Sequence, residues 1–240
     1  MQKNIIFEDK HIIVAYKPAG IATQTARIGQ QDMVSELKNY LSKKPEYQGK
    51  GAPYLGLIHR LDQPVSGLLV FAKTSKAASA LSSQLNNGGI KKFYYAVVFG
   101  KPEIDAGSLE NYIYKDGKTN QSLIVREDFP EAKRALLNYK KVKTLMVIET
   151  GQEASLVEIE LITGRHHQIR AQMAHSDMPL LGDSKYGSEA SKSFSKEIGC
   201  KTVALCAYKL ILKHPVTGKE MTFERLPEGE IFLPFISKGF

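Results

Sequence analysis

The sequence predicts an α+β fold, in which a mainly antiparallel mixed sheet is flanked by helices and loops. Short β-branched stretches are joined by tight turns, as in hairpins. A few segments between them show helical spacing of apolar residues. No Pro-, Gly- or Ser-rich linker divides the 240 residues, so we expect one domain over residues 1–240.

Short runs of apolar and β-branched residues predict the positions of the strands. The opening "IIFEDKHIIVAYK" predicts a hairpin around Glu8–Lys10, and the apolar run "GLLVFA", residues 67–72, predicts a strand buried on both faces. Further strands are expected within residues 91–100, 133–162, 203–212 and 220–224, with a turn near Gly151 in the second of these ranges.

Capping residues place the helices. Asp32 is the expected N-cap of a helix over 32–43, and Thr74 or Ser75 caps a second that ends at Gly88-Gly89. A third helix is predicted over residues 165–175 behind Thr163. The Ser-rich stretch Gly187–Glu197 is expected to be a mobile surface excursion.

Composition narrows the class of protein. The formal charge of +8 fits a partner that is a polyanion, and Cys200 and Cys206 are too few for a disulfide framework. The N-terminus lacks a signal-like apolar region, and no apolar run is long enough to span a bilayer. We therefore expect a cytoplasmic protein without a membrane partner.

Two charged stretches stand out. In "HRLDQPVSGLLVFAKT", residues 59–74, Asp62 lies just ahead of the buried strand, where it could face a cleft or cap the turn at Ser66 or Gly67. In "LITGRHHQIR", residues 161–170, Arg165 near a helix start is unfavourable without an anion close by. That anion could be a carboxylate such as Asp62 or an RNA phosphate.

These two stretches occur in order with "VAYKPAG", "KKFYYAVVFG" and "PLLGDSKYG". Together they resemble the RluA-type family of pseudouridine synthases over Val14 to about Gly187. The resemblance implies the pseudouridine synthase fold around a central catalytic cleft. It also implies that a uridine in RNA is isomerised to its C-glycoside after the base is flipped out, with no cofactor and no metal.

The same resemblance suggests residue roles. Asp62 is the expected catalytic carboxylate, acting as a nucleophile or as a base that leads to a glycal, and Arg170 is expected to form an ion pair with it. Tyr94 is expected in the catalytic site, either stacking on the uracil or also helping to take the C5 proton, and Arg60 is expected to enter the gap left by the flipped base. Further substrate contacts are expected from His59, Ile162, Arg165, His167 and Gln168.

The match departs from the family pattern at Val65 and His166, where threonine is usual, and it includes no N-terminal S4-like domain. We therefore expect a monomer that recognises a compact tRNA or rRNA element with its catalytic domain alone. An alternative is a non-catalytic RNA-binding or RNA-folding module of the same fold. A weaker alternative is metal-dependent RNA cleavage by His59, His166, His167 and His175.

Overall fold

The computed structural model describes residues 2–25, 29–49, 51–147 and 150–236. The chain divides into two compact units, each built from separate stretches of sequence. Unit 1 comprises Met1–Lys91 with Ala207–Leu226, and unit 2 comprises Lys92–Cys206 with Pro227–Phe240. The expectation of a single catalytic domain stays a prediction.

The described residues contain eleven strands and five α-helices. The strands are β1 (Ile5–Glu8), β2 (Ile12–Lys17), β3 (Gly56–Leu57), β4 (Ser66–Ala72), β5 (Lys91–Phe99), β6 (Ala106–Asp116), β7 (Gln121–Val125), β8 (Lys133–Val147), β9 (Gln152–Leu161), β10 (Leu205–Lys213) and β11 (Glu220–Glu224). The helices are α1 (Met33–Ser42), α2 (Ser75–Asn86), α3 (Gln168–His175), α4 (Glu189–Glu197) and α5 (Leu233–Ile236). The α+β class is confirmed, and the strand pairings with a defined register are all antiparallel.

In unit 1, β1, β2, β4 and β10 lie side by side in that order, with β3 paired to β4 and β11 to β10. All of β2 and residues 67–72 of β4 are buried, which confirms a strand covered on both faces. A Cβ on Gly67 would lie 2.4 Å from the backbone nitrogen of Ala207, and the residue has a φ of +135°. Only glycine lets β4 start this close to β10.

The first two helices begin where their caps predict. Asp32 accepts a hydrogen bond from the Ser35 backbone N–H at 2.7 Å, and the Thr74 hydroxyl accepts one from the Ala77 N–H at 3.2 Å. Both helices pack an apolar face inward, formed by Met33, Val34, Leu37 and Leu41 in α1 and by Ala77 and Leu81 in α2. The N-cap at Asp32 and the choice of Thr74 over Ser75 follow from the local hydrogen bonding.

Unit 2 is built on the antiparallel strand order β5-β9-β8-β6-β7. The hairpin of β6 and β7 was not among the predicted strands, because residues 106–116 alternate between exposed and half-buried positions with only Ile113 buried. The long strands β8 and β9 confirm the alternating segment expected over residues 133–162.

The start of α3 corrects the sequence prediction. The helix begins at Gln168 rather than at residue 165, because His167 takes the left-handed conformation with a φ of 49°. Thr163 does not cap the helix: its hydroxyl accepts a hydrogen bond from the Leu136 N–H at 2.8 Å and donates to the Gln168 side chain at 2.8 Å. Residues 162–167 therefore form a loop that precedes the helix.

The Ser-rich stretch was also wrongly predicted as a mobile excursion. Residues 189–197 form α4, whose N-cap Ser188 accepts a hydrogen bond from the Ser191 N–H at 3.1 Å. Phe194 is 1% exposed and anchors the helix in the core of unit 2. One aromatic residue, with buried Ser191 and Ser195, supplies the packing face.

No helix in the described part of the chain is both long and apolar enough to cross a membrane.

Candidate active site

Asp62 lies in the turn that leads into β4. The Val65 N–H donates to the Asp62 carbonyl at 3.0 Å, which closes the turn directly before the strand. The side chain is half-buried. Asp62 therefore lies at the rim of the unit 1 sheet, directly before β4.

The residue before Asp62 is held by a buried hydroxyl. Thr23, 3% exposed, donates its hydroxyl hydrogen to the Leu61 carbonyl at 2.9 Å and accepts from the Leu61 N–H at 3.1 Å. A single side chain thus satisfies both backbone groups of Leu61. The carboxylate-bearing turn is fixed on its N-terminal side.

The residue after Asp62 is held by a buried ammonium. Lys17 is fully buried, and its Nζ donates to the carbonyls of Pro18 at 3.1 Å, Ile21 at 2.6 Å and Gln63 at 3.0 Å. Burial lowers the pKa of Lys17 to about 8, although the negative charge of Asp62 acts in the opposite direction. The three carbonyl acceptors use all three N–H bonds of the ammonium, so Lys17 carries positive charge beside Asp62 at neutral pH.

Lys17 and Thr23 were not predicted as site residues. Their signal was the "KPAGIAT" stretch, whose lysine and proline read as a strand end when considered alone. The "HRLD" turn that this stretch holds lies about forty residues later in the sequence. Thr23, for example, is hydrogen-bonded to Leu61. Only the folded chain shows that the first stretch holds the second.

His59 and Arg60 flank the same turn. The half-buried His59 imidazole accepts a long hydrogen bond from the Val70 N–H to Nε2 at 3.5 Å, which directs the ring toward β4. Arg60 is exposed. Their expected contacts with substrate stay predictions.

Tyr94 lies on β5, where alternate side chains point to opposite faces. Its side chain is buried at 5% exposure, whereas the neighbouring Tyr95 is half-buried on the opposite face. The alternation of the strand places the two tyrosines on opposite faces. Lys92 is two residues before Tyr94, shares its face of the strand and is buried as well.

The loop between β9 and α3 is held from within by Gln168. This side chain, 2% exposed, accepts from the Thr163 hydroxyl at 2.8 Å and from the Arg165 N–H at 3.0 Å, and donates to the Leu136 carbonyl at 3.1 Å. Its amide therefore shapes the loop, while its expected substrate contact stays a prediction. Ile162 is 44% exposed at the start of the loop. Arg165 is exposed and donates from Nε to the Arg134 carbonyl at 2.9 Å.

The adjacent histidines of the loop contact each other, and His167 also contacts Tyr186. The rings of His166 and His167 stack with centroids 3.7 Å apart. The Tyr186 hydroxyl is hydrogen-bonded to His167 Nδ1 at 2.8 Å and accepts from the Ser122 N–H at 2.7 Å. Among the described residues there is no group of three or more His, Cys, Asp and Glu side chains arranged to hold a metal.

Arg170 is fixed by an acid that was not predicted as a site residue. Its Nε and Nη2 donate to the two carboxylate oxygens of Asp183 at 2.7 and 2.8 Å, with the side chains 4% and 1% exposed. The guanidinium carbon also lies 5.1 Å from the Tyr186 ring centroid. Asp183 further accepts from the N–H groups of Lys185 and Tyr186 at 3.0 and 3.2 Å. In the sequence this acid lies in "GDSKYG", the end of the last of the five stretches that carry the family resemblance.

The predicted residues thus fall into two groups. His59, Arg60 and Asp62 share one turn of unit 1, and Ile162, Arg165, His167, Gln168 and Arg170 share one loop and helix start of unit 2, the unit that also carries Tyr94. The ion pair of Asp62 with Arg170 stays a prediction.

A family model described as RNA pseudouridylate synthase matches residues 11–175, which include both groups. The chain belongs to this family. It is 34% identical over 224 residues to "Ribosomal large subunit pseudouridine synthase D" of Zymomonas mobilis, an alignment covering 92% of this chain and 68% of the relative. It is 35% identical over 222 residues to "Uncharacterized RNA pseudouridine synthase YhcT" of Bacillus subtilis, covering 92% and 67%.

Solved structures support the same fold. "Human RNA Pseudouridylate Synthase Domain Containing 4" aligns with a TM-score of 0.72 and 24% identity over 95% of this chain and 90% of that one. "Human RNA Pseudouridylate Synthase Domain Containing 1" aligns with a TM-score of 0.74 and 20% identity over 98% and 86%. The pseudouridine synthase fold is confirmed.

Family membership identifies the chain as an RNA pseudouridine synthase, an enzyme that isomerises uridine in RNA. This result favours an RNA pseudouridine synthase over a non-catalytic RNA-binding module of the same fold.

Proposed function

We propose that this synthase isomerises a uridine of large-subunit ribosomal RNA. Relatives from Zymomonas mobilis and Rickettsia prowazekii that are each 34% identical to it carry names that specify the large ribosomal subunit. The net charge of +8 suits a polyanionic substrate. A tRNA substrate is the competing possibility and is tested below.

The catalytic step is assigned to Asp62. Its carboxylate either attacks ribose C1′ or removes the proton from C2′, and in both routes the N1–C1′ bond breaks and uracil leaves with the electron pair. The detached base then turns and C5 bonds to C1′, while the Asp62–C1′ ester bond breaks in the first route or C2′ regains its proton in the second. The C5 proton is then lost and N1 gains a proton, so that the reaction is an isomerisation. Both routes need an ionised, fixed carboxylate.

This assignment rests on the observation that two buried side chains fix the turn on either side of Asp62. Thr23 and Lys17 fix the backbones of Leu61 and Gln63, which are the two neighbours of Asp62. The Lys17 ammonium also places positive charge near the carboxylate. Such preorganisation is what a reacting group needs and a surface aspartate lacks.

The remaining proposed roles belong to residues of both units. Arg170, held rigid by Asp183, is proposed to pair with the Asp62 carboxylate, and Tyr94 to stack on the uracil. His59, Arg60, Ile162, Arg165, His167 and Gln168 are proposed to contact the RNA around the target nucleotide. The base is proposed to be flipped out of its stack before reaction.

The test uses purified synthase with separate transcripts of large-subunit rRNA, small-subunit rRNA and tRNA, followed by mapping of pseudouridine. We expect product in the large-subunit transcript, none with Asp62→Asn, and normal product with the exposed control Asp128→Asn. Product confined to tRNA would reject the ribosomal substrate. Full activity of Asp62→Asn would reject the catalytic assignment.

The same preparation tests the remaining expectations. We propose a cytoplasmic monomer that uses no metal, so activity should persist in excess chelator and the protein should elute at the size of one chain. Loss of activity in chelator that is restored by a divalent ion would instead favour metal chemistry.

A further inference from the structure

Three lysines are buried in the described part of the chain, namely Lys17, Lys73 and Lys92. The Lys17 ammonium donates to three carbonyls. Lys73 pairs with Glu8 and donates to the Asp9 carbonyl, both at 2.6 Å. Each of these two charges is thus compensated by groups of the protein itself, as buried charges generally are.

Lys92 is the exception. Its side chain is 8% exposed, and within the residues that the structure describes its Nζ has neither a carboxylate within ion-pair distance nor a hydrogen-bond acceptor, although the nitrogen itself is not sealed from solvent. Burial accordingly lowers the pKa of the Lys92 ammonium. An ammonium that is mostly withdrawn from water and has no protein partner is less stable than one in water, so binding of an anion beside it is favourable.

The position of Nζ indicates where a partner would come from. A Cβ built on Gly164 would lie 3.5 Å from the Lys92 Nζ, and Gly164 itself is exposed. The ammonium therefore ends against a surface residue that has no side chain to cover it. The exposed Arg165 follows immediately, and Lys92 shares its strand face with Tyr94.

We propose that the Lys92 ammonium binds a phosphate of the RNA strand that carries the target uridine, entering beside Gly164. The proposal rests on RNA being the substrate of the proposed function. A phosphate brings a full negative charge and strong acceptor oxygens to a largely desolvated ammonium, whereas a neutral uracil carbonyl offers only a dipole. Arg165 next to it adds a second cation on the same approach.

The experiment compares Lys92→Met, Lys92→Arg and the control Lys91→Met, whose parent residue is exposed on the opposite face of β5. Steady-state kinetics with an RNA that the wild-type enzyme modifies are measured across a series of salt concentrations. For Lys92→Met we expect roughly a tenfold rise in KM. We also expect the slope of log(kcat/KM) against log[salt] to become less steep by about one. Lys92→Arg should keep most of the wild-type slope, and Lys91→Met should match the wild type in KM.

A second measurement separates substrate binding from a structural role. Removing a charge that burial disfavours should leave the Tm of the free enzyme unchanged or raised, while removing a structural lysine would lower the Tm. Lys92→Met with a wild-type salt slope, or with a reduced kcat at unchanged KM, would overturn the proposal. A lowered Tm would also overturn it. If the wild-type enzyme modifies tRNA but not ribosomal RNA, the proposed substrate fails while this test still runs on tRNA.

Discussion

The Arg170–Asp183 pair offers the sharpest test of how the site is built. The two carboxylate oxygens accept hydrogen bonds of 2.7 and 2.8 Å from a guanidinium, and both side chains are at least 96% buried. Asp183→Asn keeps the shape but removes the negative charge and turns one acceptor into a donor that faces an N–H group. Breaking a buried ion pair in this way costs about 3–5 kcal/mol.

For a chain of this length, each kcal/mol shifts the Tm by about 2–4 °C, so we expect Asp183→Asn to lower the Tm by about 6–20 °C. Thermal unfolding followed by circular dichroism measures the shift. The control is Glu189→Gln, which breaks a surface pair with Lys192 at 3.2 Å in which the glutamate is 95% exposed. Surface pairs contribute under about 1 kcal/mol, so its Tm should change by less than about 4 °C.

A double variant separates stability from catalysis. Arg170→Met combined with Asp183→Leu replaces the buried pair with apolar side chains and should recover much of the lost stability. It should not recover pseudouridine formation, because the proposed partner of Asp62 is gone. An Asp183→Asn protein that melts within about 2 °C of the wild type would refute the reasoning about the pair.

The remaining predictions concern unit 1. Because burial lowers the pKa of Lys17 from 10.5 to about 8, the unfolded chain binds more protons than the folded one between these values. Wild-type stability relative to Lys17→Met should therefore rise with pH from about 8 to 10.5 in urea unfolding. Thr23→Val leaves both backbone groups of Leu61 unsatisfied, so it should lose about 1–3 kcal/mol in the same assay and lower kcat, while Thr23→Ser should retain activity. Gly67→Ala forces a Cβ to within 2.4 Å of the Ala207 backbone and should abolish soluble expression or cooperative unfolding.

Each of these three predictions would be contradicted by a specific result. A stability difference that is flat or falling above pH 8 would mean that Lys17 does not change protonation as described. Equal kcat values for Thr23→Val and the wild type would show that the turn keeps its geometry without the hydroxyl. A Gly67→Ala protein with wild-type Tm would show that β4 and β10 can separate at no cost.

Local signals in the sequence predicted the elements that depend on local chemistry. The caps Asp32 and Thr74 and the apolar run of β4 each act within a few residues, so their helices and strand follow from short windows. The β6–β7 hairpin and α4 depend on burial that a window does not show. In α4 a single buried phenylalanine, Phe194, decides between helix and loop.

The residues of the candidate site also differ in whether the sequence predicts them. The motif around Asp62 locates the catalytic carboxylate, whereas its supports, Lys17 and Thr23, lie 45 and 39 positions earlier and act through backbone carbonyl and N–H groups that leave no mark on the sequence. Asp183 is thirteen residues after Arg170, a separation with no helical or strand periodicity. Long-range partners of this kind follow from the fold alone.

The composition of unit 1 from residues 1–91 and 207–226 has a consequence for biosynthesis. As the polypeptide leaves the ribosome, the segment with Asp62 emerges early, but β10, the neighbour of β4, is translated only after the whole of β5 to β9. At about 5–20 residues per second, more than a hundred residues delay that strand by several seconds. During this interval the edge of β4 is unprotected, and the nascent chain has to avoid aggregation before it can become an active catalyst.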